Sequence, residues 1–152
     1  MEETLQIESI QPLSPMQEGM LFHYLMDPAS AAYFEQTLLT ITGHIDMDTL
    51  AKSFQELFAR YDIFRTVFMY EEMEQPYQIV LQEREASVYY ENITHLNEEE
   101  RNLYIRQFQL RDREQGFDLT QDVLMRLSVI QVEPKVYKMI WSHHHILMDA
   151  GV

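Results

Sequence analysis

Three consecutive histidines stand out chemically in the segment Ser142-His143-His144-His145-Ile146-Leu147-Met148-Asp149. Imidazole suits general acid–base work because its unperturbed pKa is about 6.5. Asp149 lies four residues beyond His145, where it could orient a ring or pair with a distant arginine and hold the turn. Three readings of the cluster compete. The rings could simply fill a strand end, they could ligate a metal, or His145 or His144 could act in catalysis. Neighbouring strand residues point to opposite faces, so His144 does not readily join His143 and His145 around one ion.

The elements that must position this cluster read as alternating strands and helices. Ser14-Pro15-Met16-Gln17 opens a helix with an N-cap, a proline at the first helical position and a capping box, running to about Met26. Tyr33 to Ile41 reads as a strand ending at Gly43. Asp46 or Asp48 caps a second helix, with Leu50, Phe54, Leu57, Phe58 and Tyr61 at helical spacing. Arg65 to Tyr70 and Tyr77 to Gln82 form two strands, and Ser87 to Asn92 a further one. A charged helix from Asn97 to about Arg113 stops at Gly116. The last third is a hairpin: Val123 to Val129 alternates, Glu133-Pro134-Lys135 turns, and Val136 to His145 returns. In the return strand Tyr137, Met139, Trp141, His143 and His145 share one face, with Val136, Ile140 and His144 on the other. This order predicts a mixed α/β layer structure.

Composition bounds the rest. The 152 residues suit one domain or one lobe, and a 46% hydrophobic fraction with eight Phe and nine Tyr supports a core. Cysteine is absent, which removes disulfides and thiolate sites and fits a reducing cytoplasm. No signal peptide or membrane-spanning run is visible, so the sequon at Asn92 is read as chance. With 25 acidic against 11 basic residues the net charge is −14, which disfavours nucleic acid and anionic membrane as partners.

Four ordered segments give the chain a resemblance. Leu13-Ser14-Pro15-Met16-Gln17-Glu18-Gly19-Met20-Leu21-Phe22-His23 and Arg60-Tyr61-Asp62-Ile63-Phe64-Arg65-Thr66-Val67-Phe68 come first. Gly116-Phe117-Asp118-Leu119 with Leu124 and Arg126 follows, and then His144-His145-Ile146-Leu147-Met148-Asp149. In that order they resemble the core motifs of the nonribosomal peptide synthetase condensation domain, in its N-terminal lobe. The resemblance implies a chloramphenicol acetyltransferase-like half-domain over residues 1–152, with the C-terminal lobe absent. It implies a tunnel between two lobes, where donor and acceptor carrier proteins deliver substrates on phosphopantetheine arms. The acceptor amine attacks the donor thioester to form an amide. No cofactor or metal is then bound directly.

Position by position, the resemblance makes His145 the catalytic residue and His144 structural. Asp149 becomes structural, in a salt bridge with Arg60, with Arg65 as second choice of partner. From residue types alone, Arg60 and Arg65 are equally the solvated ends of a helix and a strand. The wording of the Ser14 segment resembles domains that accept a D-configured donor. Capping and packing account for Ser14, Pro15 and Gln17 without a further role. The family's usual Gly-Trp after the motif Asp is replaced by Ala150-Gly151. A lobe without its mate is expected to expose apolar surface, to self-associate and to form no amide alone. An epimerization-domain lobe and a non-catalytic carrier-docking module are the alternative readings.

Overall fold

A computed structural model describes residues 6–149, with side chains to Leu147. The order is β1 (Ile7–Pro12), α1 (Pro15–Met26), β2 (Phe34–Thr42), α2 (Met47–Arg60), β3 (Thr66–Met69), β4 (Tyr77–Leu81), β5 (Val88–Asn92), α3 (Glu98–Gln115), β6 (Met125–Glu133) and β7 (Val136–His144). Two 3-10 turns, Asp62–Arg65 and His145–Asp149, complete it. This is the mixed α/β architecture that the sequence predicts. Among the described residues no helix is long and apolar enough to cross a membrane.

The helices begin and end where local chemistry dictates. Ser14 caps α1 in a full capping box with Gln17, and Pro15 supplies the first helical position. The Asp46 side chain, rather than that of Asp48, accepts from the N–H groups of Asp48 and Thr49 to cap α2. Asn97 and Glu100 form a second capping box for α3. That helix stops at Gly116, whose φ of +57° is a left-handed conformation that glycine adopts without Cβ strain.

Four strands in the order β2-β7-β6-β5 make the main sheet, and β1-β4-β3 make a smaller one. β6 and β7 are the expected hairpin, while β5 joins β6 in parallel. Alternation along the hairpin splits its side chains between two helices. Ile130 and Ile140 pack with Ile105, Tyr104 and Phe108 of α3. Met125, Leu127 and Met139 pack with Phe54 and Phe58 of α2. Leu57 and Tyr61, at helical spacing with that pair, remain exposed. A third cluster joins Met20 and Leu21 of α1 to Phe34, Phe68, Phe117, Leu124, Ile146 and Leu147. It underlies the histidine segment and fixes where β7 ends.

β1 is not legible in the sequence. Its residues are mostly exposed, and pairing with β4 forms it rather than any local pattern. β7 also ends one residue earlier than alternation suggests, so that His145 opens a 3-10 turn.

Candidate active site at the end of the hairpin

The histidines sit where two backbone contacts grip the end of β7. The His144 N–H donates to Leu124 O at 3.1 Å, and the His145 N–H donates to Tyr33 O at 2.8 Å. One contact lies on each side of the strand, and together they fix the direction of three successive rings.

His144 turns inward. It is buried, and its Nδ1 accepts the backbone N–H of Ile146 at 3.0 Å, closing the 3-10 turn on itself. An Nδ1 that accepts carries no proton, so the neutral ring holds its hydrogen on Nε2. Burial, reinforced by His145 and His143, lowers its pKa to about 4. A neutral ring committed to a turn is a structural element.

His143 and His145 lie on the other side, and one carboxylate meets both. Glu35 stands directly across from His143 in the β2–β7 register. Its Oε2 lies 3.2 Å from His143 Nε2, and its Oε1 lies 3.0 Å from His145 Nδ1. Both nitrogens are buried, yet neither contact is aligned as a hydrogen bond. The His145 side chain is 40% exposed despite its buried Nδ1, so the accessible part is the far edge of the ring. His144 points away from its neighbours, and the three rings do not converge on one point. Among the described residues no group of three or more His, Asp or Glu is placed to hold a metal ion.

Behind the strand lies a polar network that the sequence does not reveal. Asp112 of α3 is buried beneath β7. It accepts from Arg126 Nε at 3.0 Å, from Gln36 Nε2 at 2.9 Å and from the Ser142 hydroxyl. Arg126 also donates to the carbonyls of Asp112 and Gly116, and its guanidinium lies 4.1 Å from the centre of the Phe117 ring. Gln17 is a second omission. It is fully buried, completes the capping box and reaches the Ile146 carbonyl at 3.4 Å. Capping alone therefore does not account for it: α1 is tied to the histidine turn.

The two arginines separate. Arg65 is buried, not a solvated strand end. It donates to Phe58 O at 2.7 Å and Leu81 O at 2.6 Å, and it pairs with Asp62 at 2.7 Å and Glu8 at 3.3 Å. All three of its guanidinium nitrogens are thus engaged at the α2–β3 corner. Arg60 ends α2 and is exposed, and it forms no ion pair among the described residues. The Asp149 side chain, together with Ala150 and Gly151, lies outside those residues.

Exposed apolar side chains share this face of the sheet, where Leu39 and Trp141 continue the rows of Glu35 and His143. Phe22 and Met26 of α1 are exposed as well. A separate cleft of 640 Å³, lined by Tyr89, Tyr104, Phe108 and Arg111, lies on the α3 side of the sheet, away from His143.

With this geometry in hand, known proteins locate the chain. The profile of the condensation domain matches residues 7–151. Over 150 residues the chain is 49% identical to a component of plipastatin synthase from Bacillus subtilis, covering 99% of this chain and 6% of that protein. It is 46% identical over 144 residues to gramicidin S synthase 2 of Brevibacillus brevis, covering 95% of this chain and 3% of that protein. The chain thus spans a small part of these relatives. Among solved structures, the starter condensation domain of rhizomide synthetase superposes with a TM-score of 0.81 at 19% identity, covering 91% of this chain and 34% of that one. A four-domain nonribosomal peptide synthetase bound to AMP and glycine gives 0.78 at 18% identity, covering 97% and 11%. At such identities these superpositions speak for the fold alone.

Proposed function

The chain belongs to the condensation domain family of nonribosomal peptide synthetases, and from that premise we propose that it is the N-terminal lobe of a domain that joins two carrier-bound substrates through an amide bond. The amine of an aminoacyl thioester attacks the carbonyl carbon of a donor acyl or peptidyl thioester. The C–N bond forms, the C–S bond breaks, and the donor's phosphopantetheine thiol leaves. The proton lost by the amine balances the one gained by the thiolate.

The observation that carries this reading is the division of labour within the histidine segment. His144 is neutral, buried and committed to the turn, whereas His145 presents an accessible ring edge beside a carboxylate. An uncharged amine is already a good nucleophile, so His145 needs little base strength. Its work is to hydrogen-bond the amine, orient it and accept its proton as the amide forms. Asp149 paired with Arg60 locks the turn. Arg65, with its nitrogens engaged elsewhere, is a structural support of the α2–β3 corner.

The substrates arrive on donor and acceptor carrier proteins and meet in a tunnel that a second lobe completes. The exposed Leu39 and Trp141, on the same sheet face as His143, suit a surface covered by that lobe. Amide formation between loaded carriers, measured with the complete domain, with its His145→Ala variant and with this chain alone, tests the reading. Product from the complete domain, a loss of at least about 100-fold on substitution and no product from the lone chain are expected. Robust turnover by the lone chain overturns the lobe assignment, and full activity of the variant overturns the role of His145.

A further inference from the structure

Amide formation as described gives Glu35 no task, yet its carboxylate lies between the rings of His143 and His145. β2 and β7 pair antiparallel, with Glu35 opposite His143 and Phe34 opposite His144. The His145 N–H is anchored on Tyr33 O, so the backbones on either side of Glu35 are held. A cross-strand pair of this kind brings side chains within reach at no further cost in backbone order. Glu35 therefore sits between two rings by register.

Two ring nitrogens face it. His143 Nε2 and His145 Nδ1 are buried and lack a hydrogen bond among the described residues, each with a Glu35 oxygen at 3.0–3.2 Å. Buried polar atoms left unsatisfied are uncommon, and each one calls for a physical reason. Contacts of this length and poor alignment are those that tighten when a substrate arrives.

We propose that Glu35 is the positioning residue of His145: steadied from one side by His143, its carboxylate takes the Nδ1–H of His145 and leaves Nε2 bare toward the reacting amine. A ring hydrogen-bonded at one nitrogen is fixed in tautomer and direction at the other, and a carboxylate is the strongest common acceptor for that task. The inference rests on the amide-forming reading, because it assigns the free nitrogen to the amine.

The test uses the complete domain of the parent synthetase with Glu35→Ala, Glu35→Gln and Glu35→Asp. Histidine labelled with nitrogen-15 reports the tautomer of His145, and single-turnover amide formation with loaded carriers reports its use. In the wild type, His145 carries its neutral-state proton on Nδ1. Glu35→Ala mixes the tautomers and slows amide formation about 10- to 100-fold, with little change in the acceptor's apparent KM. Asp and Gln, which keep an acceptor oxygen, restore most of both. An unchanged His145 tautomer and a rate within about twofold in Glu35→Ala overturn the proposal. The two readings fail separately. If His145→Ala abolishes product while every Glu35 variant matches the wild type, amide formation stands and the positioning role falls. If the wild type forms no amide while the tautomer still follows Glu35, the contact stands and the amide-forming reading falls.

Discussion

The two faces of β7 are built by opposite rules. On the α3 face, Ser142 and His144 are buried and hydrogen-bonded, and the Asp112 carboxylate beneath the strand collects an arginine, a hydroxyl and an amide. On the other face, His143, His145 and Glu35 lie close together, with two buried ring nitrogens unsatisfied among the described residues. Around Asp112 on one face the hydrogen bonds are made, and around Glu35 on the other two are not. A satisfied network fixes the strand in one position, and spare capacity lets a reactant be recognised. Adjacent residues can divide the two tasks because a strand alternates its side chains.

If that contrast holds, damage to the satisfied face costs stability. Asp112→Ala in the complete domain removes the carboxylate from the Arg126 guanidinium, the Ser142 hydroxyl and the Gln36 amide together. A loss of about 3–5 kcal/mol is expected, because a partly buried cation is left without its counter-charge. Urea denaturation reads it, and a loss below about 1 kcal/mol would show the network to be dispensable.

His144 gives the next largest effect, and its sign is fixed. The folded state holds the pKa near 4, below the ordinary value of about 6.5, so the unfolded chain binds the proton first as pH falls. This contribution is complete above about pH 6.5 and is lost progressively as pH falls through about 4, amounting to about 3 kcal/mol over the window. His144→Asn keeps an acceptor for the Ile146 N–H without a titrating ring. Denaturation midpoints from pH 7 to pH 4 are expected to fall less steeply in that variant, and parallel curves would break the argument.

Gln17→Leu follows, at about 1–2 kcal/mol, from the loss of the bonds to Gln78 and Ile146 O and of half the capping box. The same substitution tells how much of the site was legible. The α1 capping box, the stop at Gly116 and the opposed directions of His143 and His144 follow from local rules, and the sequence discloses them. Gln17 reads as a capping residue, and only the fold shows that its amide also reaches a turn 129 positions away. Nothing local singles out Asp112 on its charged helix or Glu35 within the Tyr33–Ile41 strand. Their partners lie 14 to more than 100 residues distant in the chain, and strand pairing and helix packing bring them close. Local pattern places a residue on a face, whereas the choice of partner is a tertiary fact.

The smallest expected change in stability is the sharpest test of the contrast. Glu35→Gln alters an exposed edge strand, where the carboxylate is half-exposed and its contacts with His143 and His145 are not aligned. Half-exposed polar contacts of that kind contribute about 0–1 kcal/mol, and glutamine preserves the length and one acceptor oxygen. The denaturation midpoint of the complete domain should therefore move within experimental spread. Asp112→Asn makes the same exchange of carboxylate for amide on the other side of β7. There the new amide hydrogens face donors, Arg126 and Gln36, and a buried acceptor is lost, so a clear loss of about 1–3 kcal/mol is expected. Equal losses for the two exchanges would mean that both faces bear load alike, and the division between a locking face and a working face would fail. Unequal losses, with the tautomer of His145 responding to Glu35→Ala and not to Asp112→Ala, separate what holds β7 in place from what β7 holds in place.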